Sequence, residues 1–144
     1  APAHHEGAQA CHFQRIRDWA EDEMVAAKRM GSLVAGGGSR LGAHIRHAAR
    51  ILQKRTEENR LLLILSDGRP EDRDGYRGQY GTADTAMAVR ESVSAGIHIH
   101  CVSMDKSRPR YLTDIFGPHG FTSVTKATTL PLQLPKIFRS ISWG

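Results

Sequence analysis

The chain of 144 residues carries a net charge of +5 and is 40% hydrophobic and 24% charged, a composition typical of one soluble globular domain. Its 6% aromatic content and its dispersed lysines and arginines argue against a nucleic-acid-binding surface. No segment approaches the roughly 18–20 apolar residues of a membrane span, and the first residues lack an apolar signal core, so we expect a cytoplasmic protein. Cys11 and Cys101 lie far apart without metal-type spacing and are expected to be reduced and buried.

The first third of the chain contains one strand-like segment and two helical ones. Residues 1–8 are expected to form a loop, and alternating apolar residues predict a short strand at about 9–16. The stretch 18–30 predicts a helix, because its acidic start and basic end complement the helix dipole. A glycine-rich turn at 35–40 then leads into a second helix, at about 40–55, with apolar residues on one face.

The most informative stretch is the aliphatic run at 61–65, which stops at Ser66, Asp67 and Gly68. A short unbroken apolar run that ends in turn residues is typical of a strand buried on both faces of a parallel α/β sheet. Sheets of this kind bind their ligands in the crevice beyond the carboxyl ends of the strands. Asp67 is therefore a carboxylate at the place where such folds hold functional groups.

The rest of the chain continues the alternation of strand and helix. A long polar loop follows the central strand, and loops of that length inside a compact domain are often functional. The elements predicted here are the loop at 68–81, a helix at 82–94 capped by Thr82, a strand at 97–104, a short helix at 111–116, a strand at 121–125 and a helix at about 131–141. The whole pattern predicts a single α/β domain over residues 1–144, with three α/β/α layers around a doubly wound, mostly parallel sheet.

The triple glycine before Ser39 allows more than one interpretation. A phosphate-binding loop would need a Gly-Lys-Ser/Thr sequence after its last glycine, and none is present. A dinucleotide-binding fingerprint would need glycine at position 41, where Leu41 stands. Two interpretations remain: a Ser39 hydroxyl presented to a ligand at a helix start, and a plain glycine turn in which Ser39 caps the helix.

A hydroxyl and a carboxylate at one edge of a sheet suit a hard cation. Magnesium prefers oxygen ligands, keeps several waters and is often held by one or two carboxylates. Ser39 and Asp67 are therefore candidate magnesium ligands. The structural alternative for Asp67 is an Asx-turn that closes the strand.

Two stretches resemble the later part of a von Willebrand factor A (vWA) domain: Gly-Gly-Gly-Ser-Arg-Leu-Gly at 36–42 and Leu-Ile-Leu-Ser-Asp-Gly-Arg-Pro at 63–70. The segment at 72–91, with its Tyr-Arg-Gly-Gln-Tyr-Gly loop and Asp-Thr pair, is similar to the C-terminal domain of NorD/CbbO-type proteins. The segments at 111–117 and 130–135 continue this resemblance, which covers most of the chain.

The resemblance implies a metal-ion-dependent adhesion site (MIDAS) at the top of the sheet. In that family an Asp-x-Ser-x-Ser loop, a threonine and an aspartate hold magnesium, and Ser39 and Asp67 fall at the last two positions. An open coordination position of the ion accepts a carboxylate from a partner, which implies a docking module and not an enzyme. The implied partners are a MoxR-type AAA+ ATPase and a client metalloenzyme such as nitric oxide reductase, or Rubisco.

The chain departs from the family pattern in one respect, since no Asp-x-Ser-x-Ser sequence occurs in its 144 residues. The resemblance then implies an N-terminally incomplete vWA domain that lacks the first strands and part of the magnesium ligand set. The missing first strand would lie beside residues 61–65 and would leave that strand with an open edge. We therefore expect the chain to be part of a longer polypeptide, or to be completed by another segment.

Two other functions are weighed against this one. A nucleotide-binding oxidoreductase would use the loop at 36–42 for phosphate and would need a strand directly before Gly36. A metal-chelatase subunit carries a related domain beside an AAA+ partner, but the loop at 76–85 favours the NorD/CbbO type.

Overall fold

The computed structural model describes residues 13–33, 40–66, 78–107 and 110–141. These residues form five α-helices, one 3₁₀ turn and three strands. In chain order the elements are α1 (Glu23–Gly31), α2 (Leu41–Gln53), β1 (Leu61–Ser66), α3 (Gly78–Ser94), β2 (His98–Ser103), α4 (Arg110–Phe116), β3 (Phe121–Ser123), the 3₁₀ turn (Ala127–Thr129) and α5 (Leu130–Ser140). Within these ranges, none of the helices is both long enough and apolar enough to span a bilayer.

The three strands form a parallel sheet in the order β1-β2-β3. Residues of β1 pair in register with β2 from Leu61 opposite His98 to Ser66 opposite Ser103. Successive parallel strands need helical crossovers, and α3 and α4 provide them. The predicted α/β fold with a parallel sheet is confirmed.

Helices cover both faces of the sheet. On one face, the inward side chains of β1 and β2 pack under α2, α3 and α4, while on the other face α5 packs on β2 and the residue after β3. The first core contains Ile45, Ile64, Ala88, Val89, Cys101, Tyr111, Leu112 and Ile115, and the second contains Val102, Val124 and Ile137. The sheet is therefore the middle of three layers.

Two predictions for the N-terminal region were wrong in part. The strand predicted at 9–16 is irregular backbone at residues 13–16, and residues 9–12 lie outside the described part. The helix predicted from residue 18 begins only at Glu23, because the Asp22 side chain accepts a hydrogen bond from the Met24 N–H at 2.7 Å and caps it. Before that cap, the Glu21 N–H donates to the Asp18 carbonyl at 3.3 Å and closes a turn.

Helix α3 begins one turn earlier than predicted. It starts at Gly78, so Thr82 lies inside the helix and does not cap it, and residues 78–81 of the predicted loop are helical. Gly78 has a φ of 57°, a conformation that glycine adopts without strain. The end of the helix was predicted correctly, since Gly96 with a φ of 84° follows it. The remainder of the predicted loop, 68–77, lies outside the described residues.

Candidate functional site

The two predicted magnesium ligands, Ser39 and Asp67, lie outside the described residues. Their neighbours in sequence are described. Strand β1 ends at Ser66, directly before Asp67, and α2 begins at Leu41 after its N-cap residue, Arg40.

The C-terminal half of helix α2 lies near the start of β1. Ile51 and Leu52 of the helix line the same cavity as Leu61 and Leu62 of β1. Ile45 in the first half of α2 shares a core cluster with Ile64 in the second half of β1, so the helix runs back along the strand and its start lies toward the carboxyl end of β1. The chain segments that border Ser39 and Asp67 therefore belong to the same end of the sheet.

An ion-pair bridge holds α2 against α3. The Arg46 guanidinium donates from Nη1 to Asp84 Oδ1 and from Nε to Glu91 Oε2, each at 2.9 Å. The Arg46 side chain is 27% exposed, so water screens the bridge only in part. Together with the buried Ile45, the bridge fixes the position of the helix that follows Ser39.

Three serines form a row at the carboxyl end of the sheet. Ser66 lies opposite Ser103, and Ser103 lies opposite Ser123. Ser103 is fully buried, and its Oγ accepts a hydrogen bond from the Asp105 N–H at 3.2 Å. Ser123 Oγ is buried and has no hydrogen-bond partner among the described residues. The row places three hydroxyl groups at this end of the sheet, and those of Ser103 and Ser123 are buried.

Sequence reasoning missed Ser103 and Ser123 as members of this end of the sheet. Each is the last residue of its strand, directly after residues that are mostly apolar or β-branched, as Ser66 is in β1. That shared position was the available signal. The alignment of all three depends on the register between strands, which no single segment reveals.

His44, His47 and the buried Cys101 take structural positions. His44 and His47 of α2 pack against Phe13, whose ring centroid lies 6.2 Å and 4.3 Å from theirs. Burial raises the pKa of the Cys101 thiol to about 12, so this thiol is protonated and unreactive at neutral pH. The described ranges contain no group of three or more His, Cys, Asp or Glu residues arranged to hold a metal ion.

The oxidoreductase alternative requires a strand directly before Gly36. The described residues do not contain such a strand. Ser32 is the C-cap of α1, and Leu33 follows it without strand structure. Residues 34–39 lie outside the described part.

His100 makes the stability of the fold depend on pH in a predictable direction. Burial lowers its pKa, and its Nε2 lies 2.8 Å from Thr122 Oγ1 in a hydrogen bond. The unfolded chain then takes up a proton more readily than the folded chain. The stability that the neutral imidazole contributes is present above its unfolded pKa of about 6.5 and is lost as the pH falls through the lower folded pKa.

We therefore expect the free energy of unfolding to decrease between about pH 7 and about pH 5, and to decrease less in His100→Gln. Urea unfolding followed by circular dichroism at several pH values measures both slopes. Thr122→Val retains the buried imidazole and is expected to keep the pH dependence. If the free energy of unfolding depended on pH as strongly in His100→Gln as in the unchanged protein, that dependence could not be assigned to His100.

Several known proteins are similar to this chain in sequence. A protein of Pseudomonas aeruginosa whose name assigns no function is 38% identical over 136 residues, which are 92% of this chain and 22% of that protein. Protein NorD of Brucella melitensis is 34% identical over 138 residues, 89% of this chain and 22% of the relative. Protein NorD of Stutzerimonas stutzeri is 38% identical over 96 residues, 67% of this chain and 16% of the relative.

These similarities extend over most of the chain and support a NorD-like family for it. The chain spans about a fifth of the length of the curated relatives it matches. No family model matches the sequence, and no solved structure matches it either.

Proposed function

We propose that this chain is a non-catalytic protein-interaction module that uses a magnesium ion, held by Ser39 and Asp67, to bind a carboxylate of a partner protein. The observation that carries the proposal is the common location of the two bordering segments. The end of a parallel strand and the start of the helix packed against it lie at one end of the sheet, where α/β folds bind ligands.

The chemistry of the donor set fits this ion. A serine hydroxyl and an aspartate carboxylate are hard oxygen donors, and magnesium retains waters that a partner's carboxylate can replace. The row formed by Ser66, Ser103 and Ser123 adds hydroxyl groups at the same end of the sheet. Further ligands would come from an Asp-x-Ser-x-Ser loop outside these 144 residues, as the resemblance to vWA domains implies.

We propose a role for the whole protein from the resemblance to NorD/CbbO-type proteins. Such a protein would act as an adaptor that links a MoxR-type AAA+ ATPase to a client metalloenzyme, with nitric oxide reductase as the first candidate and Rubisco as the second. The similarity to relatives named NorD supports the first client. The docking module would contribute the contact to an acidic residue of one partner.

Removal of magnesium tests the proposal. In a polypeptide that carries these residues after an Asp-x-Ser-x-Ser loop, EDTA is expected to release the partner, and excess magnesium is expected to restore binding, because the ion bridges the two carboxylates. Biolayer interferometry with purified nitric oxide reductase and with the ATPase measures this. Sodium chloride at equal ionic strength is the control. Binding that persists in EDTA would contradict a magnesium-mediated contact.

A further inference from the structure

A cavity of about 510 Å³ lies at the amino end of the sheet, away from the proposed magnesium site. The end of α3, the first half of β2, the loop before β3 and the end of α5 form its wall. Strand β2 begins there at His98, which lies opposite Leu61 at the start of β1. A cavity of this size suits a small molecule.

The cavity borders a stretch of β2 that β3 does not cover. β3 pairs with β2 only at Cys101–Ser103, so no strand of the described sheet lies beside His98–His100 on that side. The Cys101 N–H points to that side, since it donates to the Gly120 carbonyl at 2.9 Å. Backbone groups of alternate residues in a strand point the same way, so the N–H and C=O groups of Ile99 also point there. Ile99 lines the cavity although its side chain packs against the core under α3.

Three histidines line this cavity. His98 and His100 share the face of β2 on which Val102 packs against α5, and His119 lies in the loop before β3. Within the described ranges no three such side chains are arranged to hold a metal ion, so the three imidazoles do not form a metal centre. None of the described residues that line the cavity is acidic. Its polar side chains are therefore imidazoles and one hydroxyl, and imidazoles bind an anion as hydrogen-bond donors and, when protonated, as cations.

Arg60 adds a permanent positive charge beside the cavity wall. Its Nη2 lies 3.3 Å from the position that a Cβ would take on Gly96, which belongs to the wall. Its Nε is buried and donates no hydrogen bond to any described residue. Buried donors in native proteins are normally satisfied, and a guanidinium binds an anionic oxygen more strongly than a neutral one.

We propose that this cavity binds a small organic anion, a carboxylate with an apolar body. The carboxylate accepts hydrogen bonds from the imidazoles and from Arg60, and the body packs on the aliphatic part of the wall, to which Ile97 and Ile141 belong. An inorganic ion alone would leave most of the 510 Å³ unfilled and these aliphatic side chains without contacts, which favours an organic ligand.

Titration of the 144-residue chain with benzoate tests the site. Benzoate joins a carboxylate to an apolar ring, and benzamide has nearly the same shape without the charge. In proton–carbon NMR spectra we expect benzoate, and not benzamide at equal concentration, to shift the ring signals of His98, His100 and His119 until they saturate. His44 and His47 of α2 do not line the cavity and are internal controls that are expected to change little. Sodium chloride keeps the ionic strength constant.

Variants of two arginines test the role of the guanidinium. Arg60→Gln is expected to raise the dissociation constant of benzoate at least about tenfold, because it removes a charge-assisted hydrogen bond. Arg60→Lys keeps the positive charge and is expected to weaken binding less. Arg50→Gln is the matched control, since Arg50 is exposed on α2 outside this cavity, and it is expected to leave binding unchanged. Circular dichroism verifies that each variant is folded.

Four results would overturn the proposal, and none of them bears on the magnesium site at the other end of the sheet. Shifts that stay proportional to the benzoate concentration would show that no site is present. Equal shifts with benzamide would show that the cavity accepts apolar rings without selecting an anion. Inorganic phosphate that displaces benzoate at equal or lower concentration would identify an inorganic oxyanion as the ligand. Equal weakening in Arg60→Gln and Arg50→Gln would show a dependence on the overall charge and not on Arg60.

Discussion

Asp67→Ala is expected to abolish magnesium-dependent binding of the partner while the domain remains folded. Loss of residues that only support a metal ligand already weakens metal binding by about 10–100-fold, so loss of a carboxylate ligand itself should cost at least that factor. The carboxylate is also the only negative charge in the proposed pair of Ser39 and Asp67, and magnesium depends on such charge for affinity.

The measurement is partner binding with and without magnesium, together with a circular dichroism spectrum that verifies the fold. Asp105→Ala is the control, because Asp105 lies two residues after the end of the neighbouring strand β2 and accepts hydrogen bonds from the Ser107 N–H and Oγ at 3.0 Å and 2.6 Å. It is expected to retain magnesium-dependent binding. Equal loss in both variants would argue for a general disturbance of this end of the sheet and against a metal ligand at Asp67.

Ile45→Ala is expected to reduce the free energy of unfolding by about 2–5 kcal/mol. Ile45 is 1% exposed and packs in the core cluster that joins α2 to β1 and α3, so truncation leaves a cavity between packed elements. Alanine has the higher helix propensity, which offsets a few tenths of a kcal/mol of the loss.

Urea unfolding at fixed pH measures this change. An unchanged dependence of the free energy of unfolding on urea concentration would show that the variant exposes the same amount of surface when it unfolds. Leu132→Ala is the control, since Leu132 is 76% exposed, and its effect is expected to stay within about 0.5 kcal/mol. An equal loss in the two variants would contradict the assignment of Ile45 to the principal core.

Local patterns predicted most of the elements because their causes are local. The aliphatic run of β1 and its polar stop predicted a strand that ends at Ser66, and Gly96 marked the end of α3. The predictions failed where a neighbouring group decides the outcome. Asp22 caps α1, so that helix begins at Glu23 and not at residue 18, and Gly78 begins α3 a full turn before Thr82.

The residues of the candidate site also fall into two groups, those predicted from the sequence and those found only in the structure. Ser39 and Asp67 were identified from their residue types and from their positions next to a helix start and a strand end. As residues outside the described part they remain predictions. Ser103 and Ser123 were found only from the sheet, since a strand-final serine becomes part of a row only when parallel pairing aligns it with its neighbours.

The sequence by itself determined most of the helices and strands, and placed Ser39 before a helix and Asp67 after a strand, because periodicity, caps and turn residues act over a few positions. The resemblance implied an open edge at residues 61–65, and only the tertiary structure decided that β1 pairs with β2 from Leu61 to Ser66 and has a cavity on each side. That outcome depends on strand order and register, which are set by contacts between residues far apart in the chain. The same aliphatic run would read identically in the centre of a sheet, where both of its edges would be paired.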